Sequence, residues 1–307
     1  VILFHALGGG LGHLTRTLAI LRAAPALARR ARVLASSDLA PLAAPAFPCP
    51  VDRVEGGRFP TREALADWLD GHVARHRFRA VVLDTFPWGL VGEWAGAAPG
   101  LPRWLVARDL RWDRYVARLG TPRAPLPPRA CALEPLDPVY EERLAAAGPL
   151  ARVEAPVLLP EAREAASVAV RRGWLVLHSG AAAEREALVG LARERMAAAG
   201  EPVAPLDVVD PASHPYPAER LLAGYRHVVT GAGYNLAAVA ACAPAGRTHH
   251  LLPFERRYDD QGRRAARVAE GRWRPGDRDG AEQVAAWLAS GLAPLLDPPG
   301  PRLEPRA

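Results

Sequence analysis

The sequence predicts an α/β chain of parallel sheets arranged as two units of similar design. Three observations carry this. Short apolar runs such as Val1-Ile-Leu-Phe-His-Ala6 do not alternate with polar residues, as strands buried on both faces require. Each run leads into a loop and then a helical pattern, the order expected of parallel strands joined by crossover helices. The pattern stops where prolines crowd the chain and restarts near Trp174, and 307 residues exceed what one core of about 250–300 residues comfortably holds.

The elements follow in order. After the first strand come a glycine loop and a helix from about Gly12 to Ala28, then a strand at Arg32–Ser36. A helix runs from Thr61 to His76, with Thr61 as its cap and Glu63 in its first turn, where the helix dipole favours an acid. Strands are predicted at Ala80–Asp84 and Arg103–Ala107. Gly120–Pro138 and Glu154–Ala166 read as surface connections, which places a boundary near residue 156. Beyond it lie strands at Trp174–His178, Val203–Val209, His227–Thr230 and His249–Leu252. Helices are predicted at Glu184–Ala199, Pro217–Ala223, Asn235–Cys242, Asp259–Ala269 and Ala281–Ser290. The expected division is therefore 1–155, 156–290 and a proline-rich, loosely ordered tail over 291–307.

All 39 basic residues are arginine. Without an ε-amine the chain cannot run a Walker A loop, a kinase strand lysine, a pyridoxal phosphate Schiff base or an aldolase-type lysine. The net charge of +6 permits an anionic partner. The arginines are scattered among Ala, Pro and Gly with no basic, aromatic-interleaved stripe, so no nucleic-acid partner is expected. Cys49, Cys131 and Cys242 lie far apart and read as buried thiols rather than a metal or disulfide set. The longest uncharged stretch, Val228–Gly246, contains glycines, Asn235 and Pro244, so no transmembrane segment is predicted. The first residues offer neither a basic stretch nor a small-residue cleavage site, which favours a cytoplasmic address.

Two loops could carry chemistry. Gly8-Gly9-Gly10-Leu-Gly12-His13 lies between the first strand and helix, where backbone amides and a helix N-terminus can face an anion. It is not a dinucleotide fingerprint, because His13 stands where the third glycine belongs. His13 shares a helical face with Arg16 and sits at the positive end of the dipole, which keeps its imidazole neutral and fit to accept a proton. The alternative is a histidine that only closes the turn. Thr230-Gly231-Ala-Gly233-Tyr234-Asn235 forms a second strand-to-helix loop, followed by Pro253-Phe254-Glu255-Arg-Arg-Tyr-Asp-Asp260-Gln261. At the carboxyl ends of neighbouring strands the two segments wall one nucleotide-sized crevice. Asp259 and Asp260 serve equally well as helix caps. Asp84 ends a strand, facing the predicted cleft, and orients either His13 or an acceptor, with capping as its equal. Arg108 and Asp109 read as a structural ion pair. His72 and His76 stand at i, i+4, but with no third ligand nearby no metal is expected; the positive charge favoured at a helix C-terminus accounts for them.

These motifs, in this order, resemble the GT-B glycosyltransferases, particularly the MurG-like group, over nearly the whole chain. The matching segments are Gly8-Gly-Gly-Leu-Gly-His-Leu-Thr-Arg16, Thr230-Gly-Ala-Gly-Tyr-Asn235, Leu252-Pro-Phe-Glu255 and Asp260-Gln261. The resemblance implies two Rossmann-like domains facing a central cleft. It implies a nucleotide diphosphate sugar donor, typically uridine-linked, and a hydroxyl acceptor of unknown identity, lipid-linked or small. It implies no metal and no cofactor, and a protein that is cytoplasmic or peripheral to a membrane. His13, Arg16 and Asp84 would serve the reacting hydroxyl. Gly9, Gly10, Gly12, Ser179, Gly180, Gly231, Gly233, Tyr234, Asn235, Phe254, Glu255, Asp260 and Gln261 would hold the donor, with phosphate charge met by backbone amides and Arg16 the one arginine nearby. Two positions depart from the family. Val239 replaces the glutamate that commonly meets the ribose, and Leu236 replaces a threonine or serine. The departures leave a different donor, a compensating residue or a decayed nucleotide-binding protein as readings, beside a nucleotide-sugar hydrolase or epimerase that shares Gly12-His13-x-x-Arg16.

Overall fold

The structure, a computed structural model, describes residues 1–55, 57–120, 124–153, 155–167, 172–201, 204–209, 214, 216–273 and 279–296. The first half contains β1 (Ile2–Ala6), α1 (Gly12–Ala23), α2 (Pro25–Ala28), β2 (Ala31–Ala35), α3 (Ala40–Ala43), β3 (Val51–Arg53) and α4 (Arg62–His76). It continues with β4 (Ala80–Asp84), β5 (Arg103–Ala107), α5 (Trp112–Leu119), β6 (Arg129–Ala132), α6 (Pro138–Ala147) and β7 (Leu150–Arg152). The second half comprises α7 (Pro160–Ser167), β8 (Arg172–Leu177), α8 (Ala182–Ala198), β9 (Leu206–Val209), a 3-10 segment at Ala218–Gly224 and β10 (Tyr225–Gly231). It ends with α9 (Tyr234–Ala241), β11 (Thr248–Leu252), α10 (Gln261–Ala269) and α11 (Gly280–Leu296). The strands form a seven-stranded sheet ordered β3-β2-β1-β4-β5-β6-β7 and a four-stranded sheet ordered β11-β10-β8-β9. Every pairing is parallel.

The unalternating runs are buried because each strand feeds two cores. In β1, Ile2, Phe4 and Ala6 face one cluster while Leu3 faces the other. In β4 and β5 the same period of two sends Ala80, Val82, Trp104 and Val106 one way and Val81, Leu83, Leu105 and Ala107 the other. The first cluster also takes Leu175, Leu177 and Tyr234 from the second half, so one apolar core runs under both sheets.

Four expectations need correction. The helix predicted from Gly12 to Ala28 divides at Pro25, which supplies no N–H and opens α2 instead. The proline-crowded Gly120–Pro138 contains β6, whose Ala130, Cys131 and Ala132 are buried. Its side chains are too small to give a strand signature. Glu154–Ala166 is not a surface loop either, since Ala155, Val157, Leu158, Leu159 and Ala162 are all buried and α7 begins within it. The expected tail at 291 starts too early, because α11 continues to Leu296. Leu288 and Leu292 are fully buried in the first cluster, and arginines of the first half meet the helix's last carbonyls: Arg129 to Gly291 O, Arg79 to Leu295 O and Arg30 to Leu296 O. The part of the tail beyond 296 lies outside the described residues.

Candidate active site

Between the two sheets, at the carboxyl ends of β1, β4, β8 and β10, lies a cavity of ≈ 710 Å³. That is within the roughly 300–1,000 Å³ of small-molecule pockets. Gly9, Gly10, Gly12, His13 and Arg16 line it from the first half. Ser179, Gly180, Gly231, Gly233, Tyr234, Asn235 and Gln261 line it from the second.

The first glycine loop is held by the two serines that follow β2. Gly8 N–H donates to Ser36 Oγ at 2.9 Å, and Ser37 Oγ donates to Gly9 O at 3.1 Å. Gly8 has φ +143°, and a Cβ there would run into the His13 ring, so only glycine lets the imidazole lie against the loop. The ring's Nδ1 is 2.6 Å from Asp84 Oδ2. With Nδ1–H donating to this carboxylate, Nε2 keeps its lone pair. Arg16 holds the carboxylate from its other side, Nε to Oδ1 at 2.9 Å and one terminal nitrogen to Oδ2 at 2.5 Å. Its guanidinium also reaches Thr85 Oγ1 at 3.3 Å and Asn235 Oδ1 at 3.5 Å, and lies over the Tyr234 ring at 5.2 Å. Thr85 takes a left-handed φ of 72°, uncommon for a β-branched residue, and this strained backbone sits beside the Asp84 carboxylate.

Burial opposes ionisation of Asp84, but Arg16 and His13 overcome it and hold the carboxyl well below its usual range. Burial lowers the His13 pKa, and the adjacent Asp84 only partly offsets this. The result is a neutral imidazole backed by an ionised carboxylate, the arrangement by which an acid orients a histidine base. Asp84 itself does not line the cavity; it is joined to it through His13, which does.

Among the helices that open on the cavity, α1 after Leu11, α8 after Ala181 and α9 after Gly233 have no side-chain cap. Thr61 and Asp137 cap α4 and α6, and Asp260 caps α10, whose first residue Gln261 also lines the cavity; α2, α3 and α5 have no side-chain cap either. Uncapped N-termini leave N–H groups and the positive ends of three dipoles facing one space, an arrangement suited to a polyanion. Arg108, Arg256 and Arg257 add side-chain charge to the lining, contrary to the expectation that Arg16 stands alone. Arg16 is 1% exposed and committed to Asp84 and Asn235. A cluster centred on His178 extends the site. Its Nε2 is 2.6 Å from Glu184 Oε2, and Arg256 clasps the same carboxylate. A Cβ at Gly180 would overlap the ring end of His178 and the carboxylate of Glu184, so both side chains would have to shift to admit one. His178 and Glu184 escaped the sequence reading because one closes a strand and the other sits in a helix's first turn, with no motif around them.

The remaining predicted residues have other duties. Asp260 caps α10, its Oδ1 accepting from Arg263 N–H at 3.0 Å, so the capping reading describes its contacts. Glu255 is 84% exposed and 3.8 Å from Arg114, outside the cavity. Phe254 packs behind it against His178, with ring centroids 5.3 Å apart, and donates its N–H to Gln261 Oε1 at 3.0 Å. Tyr234 is buried, and its hydroxyl accepts from Val157 N–H at 3.1 Å. Asn235 Nδ2 donates to Gly12 O at 2.9 Å, joining the two glycine loops. Val239 points into the core, so position 239 contributes nothing to the lining, whereas Leu236 does. Arg108 and Asp109 do not pair with each other: Arg108 bonds Asp259 at 2.8 Å and Asp109 bonds Arg263.

No protein-family model and no curated relative matches the sequence. Among solved structures the chain is similar to a UGT transferase from Siraitia grosvenorii in complex with UDP, with TM-score 0.50, 12% identity and coverage of 96% of this chain and 92% of that one. It is similar also to the UDP-GlcNAc 2-epimerase of Methanocaldococcus jannaschii, with TM-score 0.51, 11% identity and coverage of 95% and 100%. At such identities the likeness is one of fold, and with parallel sheets of seven and four strands facing a shared cleft, that fold is GT-B.

Proposed function

We propose that the chain is a metal-independent glycosyltransferase that moves a sugar from a nucleotide diphosphate donor, a UDP-sugar by preference, to a hydroxyl acceptor. The observation that carries this reading is the pairing, in one cavity, of three uncapped helix N-termini with an Asp84-backed neutral His13. The helix ends, with Arg108, Arg256 and Arg257, meet the diphosphate and the charge that grows on it as the glycosidic bond breaks. His13 takes the proton of the attacking hydroxyl, and Asp84 stabilises the resulting imidazolium. Arg16, at the edge of the cavity lining, positions Asp84. With Val239 in the core, ribose recognition falls to other lining groups; of the lining carboxyls, Asp109 and Asp259 are bonded to Arg263 and Arg108, and we assign the part to the buried Glu219.

The test is a thermal-shift panel of nucleotide sugars followed by turnover with His13→Ala. A UDP-sugar should raise Tm, and the variant should lose roughly 10²–10⁴-fold in kcat with little change in donor affinity. No shift with any nucleotide sugar sinks the reading. Sugar release with UDP in the absence of acceptor replaces transfer by hydrolysis, an altered sugar configuration replaces it by epimerisation, and binding without turnover leaves a non-enzymatic nucleotide-binding protein.

A further inference from the structure

The i, i+4 histidines of α4 acquire in three dimensions the third ligand that the sequence around them lacks. Asp52, from the edge strand β3, faces His72 and His76, and one potential ligand atom from each lies within 4.8 Å of the other two. Among the described residues this is the one such group of three. His72 is 6% exposed, yet its Nε2 has no hydrogen-bond partner and is 3.6 Å from Asp52 Oδ2. A buried imidazole nitrogen left without a bond is costly unless something else engages it. The Trp68 ring stacks on His72 with centroids 4.8 Å apart and fixes the imidazole plane, and His76 lies edge-on to His72 at 4.6 Å. Both histidines lie near the C-terminal end of α4, where the helix dipole favours a cation.

We propose that Asp52, His72 and His76 bind a divalent transition metal of the zinc class. Two imidazoles and one carboxylate are the donors that Zn²⁺ takes at about 2.0–2.2 Å, with water completing the tetrahedron. Closing atoms now within 4.8 Å onto one ion requires only side-chain adjustment. None of the three residues lines the cleft. The ion therefore acts as a clip that fastens a three-residue edge strand to α4. Arg32 competes for the same carboxylate, its Nη1 standing 2.7 and 2.9 Å from the two Asp52 oxygens. Metal binding turns that guanidinium toward solvent.

The experiment titrates the purified full chain with Zn²⁺ by calorimetry, and with Co²⁺ while following its visible absorption and the fluorescence of Trp68. One Zn²⁺ per chain should bind and raise Tm, and Co²⁺ should give tetrahedral-type bands. His76→Ala and Asp52→Asn should each weaken binding by more than about tenfold, whereas Arg32→Gln should tighten it. His250→Ala tests a rival histidine pair, His227 with His250 at 3.4 Å, and should change nothing. Absence of saturable binding overturns the proposal, as does binding that survives His76→Ala and Asp52→Asn or is lost with His250→Ala. Asp52→Asn is nearly isosteric at a partly exposed position, so the question stays answerable if His76→Ala fails to fold.

Discussion

At the scale of single residues, two buried acids set opposite pH behaviour. Asp84 is kept ionised by Arg16 and His13, so the stability it lends is present above its unfolded pKa near 3.8 and is lost as acid protonates the folded form. Glu219, 8% exposed in the cavity wall, is pushed up by burial from 4.5 to about 7. A raised folded pKa means that its contribution is fully present below pH 4.5, declines between 4.5 and 7, and is gone above. Urea unfolding of wild type and Glu219→Gln across pH should therefore show the variant gaining relative stability between these limits, by on the order of 3 kcal/mol in all. A pH-independent difference would refute the assignment. His13 gives a kinetic counterpart. Because burial lowers its pKa below 6.5, kcat/KM should stay flat through neutral pH and fall only beneath that value. Asp84→Asn removes the charge that raises the imidazole's pKa, so the acid limb should move lower still while kcat falls by at least about 100-fold. An acid limb that stays put in Asp84→Asn would separate His13 from the rate.

At the scale of elements, α1, α8 and α9 open on the cavity without a side-chain cap. Each could have carried a Ser, Asp or Asn cap worth about 1 kcal/mol. Ala181→Asp should supply one to α8, because residue 181 already has the extended backbone of an N-cap, φ −60° and ψ 152°. Tm should rise, while the new carboxylate occupies the helix end and weakens nucleotide-sugar affinity by about tenfold or more in calorimetry. Unchanged affinity would remove α8 from the phosphate site. The same elements show what the sequence made legible. Strand and helix periodicity, Thr61 as a cap and the positions of both glycine loops follow from local rules, and the structure places them nearly as read. β6 and the extension of α11 do not, because Ala130-Cys131-Ala132 carries no strand signature and Leu292 is helical through contacts made far away in sequence. His178, Glu184 and Arg256 likewise meet only after folding, with Glu184 and Arg256 separated by 72 positions. The third metal-type ligand, Asp52, was invisible for the same reason: its partners follow it by a strand-to-helix crossover.

At the scale of the molecule, the two halves are locked by a web of arginine–carboxylate bonds that the scattered, lysine-free charge gave no hint of. Arg264 of α10 is 1% exposed and makes bidentate bonds to Glu134, at 2.9 and 3.0 Å, from the loop after β6. It also bonds Asp259 at 2.7 Å and Ala232 O at 3.2 Å, while Asp259 holds Arg108 across the cleft. Only arginine's planar fork can serve so many acceptors at once. Glu134 is buried, which opposes its charge, but Arg264 and Arg108 hold it ionised; Arg264 is in turn held more firmly protonated by these acids. Removing one partner strands a buried charge. Arg264→Met should therefore cost roughly 3–5 kcal/mol in urea unfolding and loosen the two halves, seen as a larger radius of gyration in solution scattering. Glu134→Gln combined with Arg264→Met should recover part of that loss, since a neutral pair of similar volume no longer leaves Glu134 charged and alone. If the double variant is no more stable than Arg264→Met, the web's strength lies in packing rather than in paired charge. The cavity depends on this lock, because Arg108 and Asp259 belong both to the web and to the cleft wall, so donor affinity should fall together with the interdomain stability.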